Sequence, residues 1–459
     1  MAPASSRIPA LLRDQISHRA RKTLDATASR SSTDTPIPHP GVPAESVFEA
    51  QLNTRENGRW TNPPVLEDLK RSARSLGLWN LFLSTHSEGA GYTNLEYALM
   101  AECLGMSRLA PEATNNSAPD TGNMEILANY GTPEQKRRWL EPLLKGEIRS
   151  AYVMTEPNVA SSDATNVRLS MARDGDHYVL NGSKWWISSA GDPRCKIYIV
   201  IGKTNPSHPD KYKQQSMIIV PADTPGIKVT RLLSVYGFDD APLGHGHLTF
   251  NNVRVPASNM LLGEGRGFEI MQGRMGPGRI HHAMRCIGFA ERALDWMLSR
   301  ANDKNKQPFG KVLSEHGAMV ENIARCRIEI DAARLVVLNA AAKIDQVKAK
   351  GAMKEIAEAK IFVPQVTCTV IDRAIQAFGA EGVSQDTPLA AMWAAARIVR
   401  IADGPDEVHL RQLGRNENKR AAAVQALLDD QKGRTNSMLE WYGVQDPLGA
   451  IQVPRASKL

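Results

Sequence analysis

Three short stretches of this chain carry residue types that do chemistry. In Tyr152-Val153-Met154-Thr155-Glu156-Pro157, followed by Ser161-Ser162-Asp163, hydroxyls and turn-forming residues crowd one loop. They can hydrogen-bond a planar polar ligand, and the same pattern also suits an ordinary structural turn. Lys184-Trp185-Trp186-Ile187-Ser188-Ser189 sets indoles beside hydroxyls, although paired tryptophans fill cores more often than they hold cofactors. Toward the end, Ala402-Asp403-Gly404-Pro405-Asp406-Glu407 places carboxylates on a Gly-Pro loop. A loop carboxylate is ordinarily solvated or a cap; one held out of water is a candidate general base. An isolated aspartate titrates near ~3.9, so it takes a carbon-bound proton only where the site raises that value or acidifies the substrate.

The elements that must position these stretches fall into three regimes. From about Val47 to Ile148 the pattern is helical, with Leu66, Leu69, Ala73 and Leu76 at helical spacing before Gly77. Thr132-Pro133 with Gln135 reads as an N-cap, a first-turn proline and a capping-box partner for a helix toward Leu143. Between about Ser150 and Gly263 short apolar or alternating runs, such as Ile197 to Ile201 and Met217 to Val220, indicate a β domain. Asn181-Gly182 between Tyr178-Val179-Leu180 and Trp185-Trp186-Ile187 predicts a hairpin turn there, because both residues tolerate positive φ. After Gly267 the helical period returns, in Val320, Ile323, Ala324 and Ile328 and from Glu355 to Gly379. The expected organisation is a flexible N-terminal arm over 1–45, a helical domain over 46–149, a β domain over 150–263, a helical bundle over 264–430 and a tail over 431–459.

Composition narrows the function classes. With 459 residues, 42% of them hydrophobic, the chain can bury a large core. No apolar run approaches the ~20 residues of a membrane span. The net charge of +7 is spread rather than gathered in a stripe, so no nucleic-acid partner is indicated. Cys103, Cys195, Cys286, Cys326 and Cys368 form no C-x-x-C pair and read as reduced thiols. His245 with His247, and His281 with His282, lack the spacing of a metal site and are expected in surface or core roles. Gly263-Glu264-Gly265-Arg266-Gly267 lacks the βαβ setting of a dinucleotide loop and reads as a linker.

The Thr155-Glu156-Pro157 loop ending in Ser162-Asp163, and Trp186-Ile187-Ser188 after Gly182-Ser183-Lys184, together resemble the two signatures of the acyl-CoA dehydrogenase family. The resemblance runs from about Leu66 to Arg415. The wording Ser117-Ala118-Pro119-Asp120-Thr121-Gly122-Asn123-Met124 and Val159-Ala160-Ser161-Ser162-Asp163-Ala164-Thr165 looks closest to the branch around family member eleven, which has peroxisomal and mitochondrial representatives. Some members of that branch carry an N-terminal kinase-like domain, which is not expected here. The resemblance implies an α+β fold: an N-terminal helical domain, a middle β-barrel-like domain and a C-terminal four-helix bundle. It also implies FAD as cofactor and assembly as a homodimer or homotetramer.

Residue by residue, the resemblance implies that Tyr152, Met154, Thr155, Trp186 and Ser188 line the flavin, with Ser162 holding flavin or substrate. Lys306 and Phe309, and Gln376, Gly379 and Ala380, match positions where the family covers the FAD of a neighbouring subunit; Pro405 and Glu407 follow the base as further cofactor contacts. Lys306 stands where the family usually has arginine and loses the planar two-pronged contact to pyrophosphate. Asp403 matches the glutamate of the family's Tyr-Glu-Gly-Thr, which removes the α-proton of the acyl thioester while the β-hydride passes to flavin N5. Gly404 beside it, with Arg279, would meet the acyl-CoA. Some branches place the base just before that arginine, but its predecessor here is Gly278, and Gly276 replaces an acid that binds pantetheine. Asp403 is one methylene shorter than glutamate and Ala402 replaces tyrosine, so a roomier pocket for a long, branched or hydroxylated chain is expected.

The chain ends in Ser457-Lys458-Leu459, the address read by the peroxisomal import receptor, after a Pro447- and Pro454-containing stretch with little helical periodicity. The first forty residues, with Arg7, Arg13, Arg19, Arg21 and Lys22, also admit a mitochondrial presequence, interrupted by Asp14 and Asp25. Peroxisomal location is the expectation. The electron acceptor stays open between an electron-transferring flavoprotein and O2, the latter making the chain an acyl-CoA oxidase. A flavin- or acyl-CoA-binding protein without turnover is the reading from another class.

Overall fold

The computed structural model describes residues 10–28, 43–54, 59–83 and 88–444. Ser457-Lys458-Leu459, the Pro447 to Pro454 tail and Arg7 lie outside them. The chain divides into two units, one through Asp406 and one from Glu407.

The first unit opens with eight helices: α1 (His18–Ala28), α2 (Pro43–Thr54), α3 (Pro64–Ser75), α4 (Asn94–Gly105), α5 (Ala110–Ala113), α6 (Asp120–Tyr130), α7 (Pro133–Gln135) and α8 (Glu141–Leu144). The expected flexible arm is corrected by α1 and the turn before it. Leu12, Ile16, Ala20 and Leu24 recur every fourth residue and enter the main core, and the Ser17 amide donates to Glu96 (2.8 Å). A basic, Ser-rich composition hid a one-sided apolar stripe, and burial of that stripe outweighs the chain entropy of an arm. At α7 the Thr132 hydroxyl accepts from the Gln135 amide and the Gln135 side chain accepts from the Thr132 amide, forming the expected capping box.

Seven strands follow: β1 (Arg149–Val153), β2 (Ser170–Asp174), β3 (His177–Ser188), β4 (Cys195–Lys203), β5 (Gln215–Pro221), β6 (Ile227–Leu233) and β7 (His245–Pro256). They form one mixed, curled sheet in the order β1-β4-β2-β3-β7-β6, with β5 on β4. Both apolar runs are strands covered on both faces. Ile197, Ile199, Ile201, Met217 and Ile219 join the main core, while Tyr198, Val200, Ile218 and Val220 join a second core within the sheet. Such double burial produces continuous rather than alternating hydrophobicity.

The hairpin expected at Asn181-Gly182 is corrected. Both residues lie inside β3, Asn181 opposite Ser170, and the turn falls at Gly175-Asp176, between the paired Asp174 and His177. Gly182 instead marks a register shift against β7. Its φ of +150° and the Leu169 Cα, 3.1 Å from where a Cβ would stand, explain the glycine. Asn181 accepts from the amide of Asn252 (2.8 Å). Asn-Gly here supplies a bulge, which needs the same backbone freedom as a turn.

The first unit ends with α9 (Gly267–Ala301), α10 (Gly317–Gly351), α11 (Met353–Phe378) and α12 (Leu389–Val399). The α9 helix packs on α4, α10 and α11. It meets α4 where two glycines cross: a Cβ on Gly288 would lie 2.2 Å from the Glu102 carbonyl, and one on Gly105 2.3 Å from that of Arg285. Within α10, Val320 and Ile328 keep the expected helical period but are exposed, at 51% and 69%. In the second unit, α13 (Asp406–Asn418) starts at the boundary and α14 (Ala421–Trp441) follows.

Candidate active site

Two constellations take shape in the first unit. One surrounds Asp403 on the turn after α12. Asp403 adopts φ +54°, a left-handed conformation costly for a residue with a Cβ, and Gly404 follows at +102°. Three groups hold the turn there. Arg279 Nε donates to the Asp403 carbonyl (3.2 Å). Lys360 Nζ donates to the Gly404 carbonyl (3.1 Å) and to that of Val399. Asp406 accepts from Arg400 Nε (2.8 Å) and Gln365 Nε2 (3.1 Å). With its backbone so fixed, Asp403 presents a side chain that is 23% exposed, its Oδ2 3.7 Å from His282 Nε2.

Burial dominates the electrostatics around this turn. It pushes Lys360 below its ordinary value, with Asp403 and Asp406 opposing. Burial, helped by Arg285 and His282, pushes His281 far down, and that ring stands edge-on to Tyr97 at 4.5 Å. Arg279 is 7% exposed. It is therefore no surface charge, and its guanidinium braces the Asp403 loop.

The second constellation sits on the bulged part of β3 and the loop after β1. Trp186 has φ +55° at a register shift between Lys184 and Ile187, and its indole is 37% exposed. Ser188 faces His245 across the β3–β7 pair, its hydroxyl 3.1 Å from Nδ1. Burial lowers His245, with Asp240 opposing. Beneath the loop, fully buried Lys184 donates to the Met154 carbonyl (2.8 Å) and to Glu156 (2.9 Å). Glu156 also accepts from the amides of Arg168 (2.8 Å) and Leu169 (2.9 Å), and the Trp185 amide donates to the Thr155 carbonyl (2.9 Å). The loop is thus fastened from its buried side, leaving Tyr152, Met154, Thr155 and Ser188 half-buried and Ser162 exposed.

The two distant segments expected to meet FAD come together at a cavity of about 460 Å3 lined by Lys306, Trp296, Arg300, Phe378 and Glu381. Arg300 joins them by donating to the Ala377 carbonyl (3.3 Å). Gln376, Gly379 and Ala380 are exposed nearby in sequence, and Phe309 is 97% exposed. Pro405 is half-buried in the Asp403 loop, and Glu407 is exposed in the second unit, on α13. The Ser117 to Met124 wording is structural where Asp120 is concerned: it accepts from the Ser150 amide (2.7 Å) and hydroxyl (2.6 Å), tying α6 to β1.

Sequence reasoning gave His282 and His245 only surface or core roles and passed over Lys360. The signal for the first was available: Arg279, His282 and Arg285 recur every third residue and so share one stripe of α9.

Family models for the acyl-CoA dehydrogenase N-terminal, middle and C-terminal domains match residues 44–147, 151–253 and 265–417. The chain is 56% identical over 366 residues to acyl-CoA dehydrogenase family member 11 of Gallus gallus, covering 80% of this chain and 46% of that protein. It spans about half the length of several curated relatives it matches. It is 55% identical over 392 residues to FadE2 of Mycobacterium tuberculosis, assigned to the acyl-CoA dehydrogenases, covering 83% of this chain and 95% of that one. A solved Mycobacterium abscessus structure of the same assignment superposes with a TM-score of 0.83 at 46% identity, over 88% of this chain and 99% of that chain. The fold, its helix–sheet–helix order and the three contiguous domain matches agree: the chain belongs to the acyl-CoA dehydrogenase family, oxidoreductases whose cofactor is FAD.

Proposed function

We propose that this chain converts a fatty acyl-CoA to the trans-2-enoyl-CoA, as in fatty acid β-oxidation, with Asp403 as the α-proton base. The observation that carries this reading is the strained Asp403 turn, pinned through its backbone by Arg279 and Lys360 while its carboxylate stays reachable. Strain kept at one carboxylate and opposed by buried cations is characteristic of a site that must hold that group in place.

The donor set fits FAD. Thr155 and Ser188 offer half-buried hydroxyls on the two segments that match the family signatures, and Lys306 joins Arg300 and Lys304 in lining a cavity that Asp303 and Glu381 also line. When bound, FAD supplies the two-electron acceptor for the β-hydride. Asp403 takes the α-proton onto its carboxylate. Arg279, which donates to the Asp403 carbonyl, would meet the acyl-CoA, and Gly404 would leave room for the thioester without a Cβ. A shorter base than glutamate with Ala402 beside it favours a long or substituted acyl chain.

Exposed Val320 and Ile328 on α10 and exposed Phe309 favour a homodimer or homotetramer. The Ser457-Lys458-Leu459 end favours peroxisomal import through its receptor. Electrons then pass to an electron-transferring flavoprotein or to O2.

The deciding experiment is an anaerobic titration of the purified protein with a panel of acyl-CoAs, following visible flavin absorbance. Bleaching by the parent and none by Asp403→Asn, with FAD content and acyl-CoA binding intact, is the expected result. An unbleached parent across the panel favours a binding protein without turnover.

A further inference from the structure

The sequence pair His281-His282 is not absorbed by the chemistry above. The structure separates its members: His281 is buried against Tyr97, whereas His282 faces Asp403. Arg279, His282 and Arg285 lie along one stripe of α9. From Arg285, Nη1 donates to the Asn116 carbonyl (2.9 Å) and Nη2 lies 3.1 Å from His282 Nδ1.

A guanidinium has donors only, so Nδ1 must be the acceptor. The proton of the neutral imidazole is then on Nε2, the nitrogen 3.7 Å from Asp403 Oδ2. That separation is longer than a closed hydrogen bond and of the kind that tightens when substrate is bound. Protonating Nδ1 would set two donors face to face, a clash that the Nε2–H tautomer avoids.

Resting on the reading of Asp403 as base, we propose that His282 is a positioning residue for it: locked by Arg285 as the neutral Nε2–H tautomer, it orients the carboxylate without pairing it to a full charge. The distinction matters chemically. A full cation at this place would hold the carboxylate in its ionised form and make it a poorer base, while a neutral N–H fixes its direction at smaller cost to basicity. Among the described residues, charged and titratable groups around the pair include Arg279, His281, Arg285 and Cys286 from α9, Lys360 from α11, Tyr97 from α4 and Asp406 just after the turn. Burial holds both His281 and Lys360 below their ordinary values.

The test uses the FAD-loaded full chain and its His282→Ala, His282→Gln and Asp403→Asn variants. Stopped-flow bleaching by one acyl-CoA is measured across pH, with FAD content and acyl-CoA affinity as controls. His282→Ala should slow bleaching by about 10- to 100-fold, the scale of a misplaced catalytic group. Its acid limb should shift to higher pH, because the carboxylate loses a donor. His282→Gln, which keeps an N–H donor, should recover most of the rate. Independently of turnover, the 15N shifts of a histidine-labelled parent should show an Nε2-protonated neutral ring at His282 from about pH 6 to 8, the range around an ordinary histidine's titration.

Parent-like rate and pH profile in His282→Ala, with Asp403→Asn inactive, overturn the His282 role alone. So does an imidazolium at neutral pH. Parent-like bleaching by Asp403→Asn overturns the base assignment on which the role rests.

Discussion

At the scale of single residues, buried side chains work through backbone carbonyls rather than toward a ligand. Lys360 holds the Asp403 turn and Lys184 the loop after β1, each by donating to carbonyls. Replacing one member of a buried ion pair strands the other, at a cost of ~3–5 kcal/mol. Lys184→Met should therefore lose about 3 kcal/mol in urea unfolding and weaken FAD retention. The pair also predicts a pH dependence. Burial, opposed by Glu156, pulls Lys184 down to about 8 from the ordinary 10.5. Between those values the unfolded chain binds more protons than the folded one, so this group's contribution rises with pH and is least favourable below about 8. The stability of the parent minus that of Lys184→Met should climb over this window; a flat difference would mean an unperturbed lysine. At the base itself, Asp403→Glu should restrict branched or substituted acyl-CoAs more than straight ones, read from relative bleaching rates.

At the scale of elements, the site depends on close approaches that only glycine permits. The Gly105–Gly288 crossing brings α4 against α9, which carries Arg279, His282 and Arg285. Gly288→Ala would press a methyl into the Glu102 carbonyl, so a loss of ~1–3 kcal/mol by denaturant unfolding is expected. Flavin reduction should slow as well, because the stripe must move with its helix. The β3 bulge acts similarly: Gly182 absorbs a register shift, and the next shift turns Trp186 out of the strand's alternation. Gly182→Val should lower the melting temperature and disturb Trp186, detectable as a change in tryptophan fluorescence.

At the scale of the whole molecule, apolar surface remains outside. The helical period read in α10 leaves Val320 and Ile328 exposed, and Phe309 stands almost free of its own chain. Exposed apolar residues at helical spacing are expected to find cover in another subunit. Ile328→Glu should shift the mass measured by light scattering toward smaller species, and Phe309→Ala should reduce FAD retention more than it reduces stability. An unchanged mass would place the subunit contact on another face. A fluorescent protein followed by residues 431–459 should enter peroxisomes and lose that location when Ser457-Lys458-Leu459 is removed.

Residue types and their spacing determined much of this protein by themselves. The helix–sheet–helix order, the Thr132 capping box and the apolar strand runs follow from local periodicity and caps, which act within a few residues, while Asp403 was named as candidate base only through resemblance to a family motif. Other features required the folded chain. Leu12 to Leu24 read as a loose arm because what holds them is a distant helix. Asn181-Gly182 read as a turn because a bulge asks for the same dihedral freedom, and only the partner strand distinguishes the two. His282 was just one of a histidine pair until residues 121 positions apart met, with Arg285 against one ring nitrogen and Asp403 facing the other. Sequence records which groups a chain can bring to a reaction; distance, burial and a neighbour's lone pairs decide their protonation and aim, and these exist only once the tertiary structure has formed.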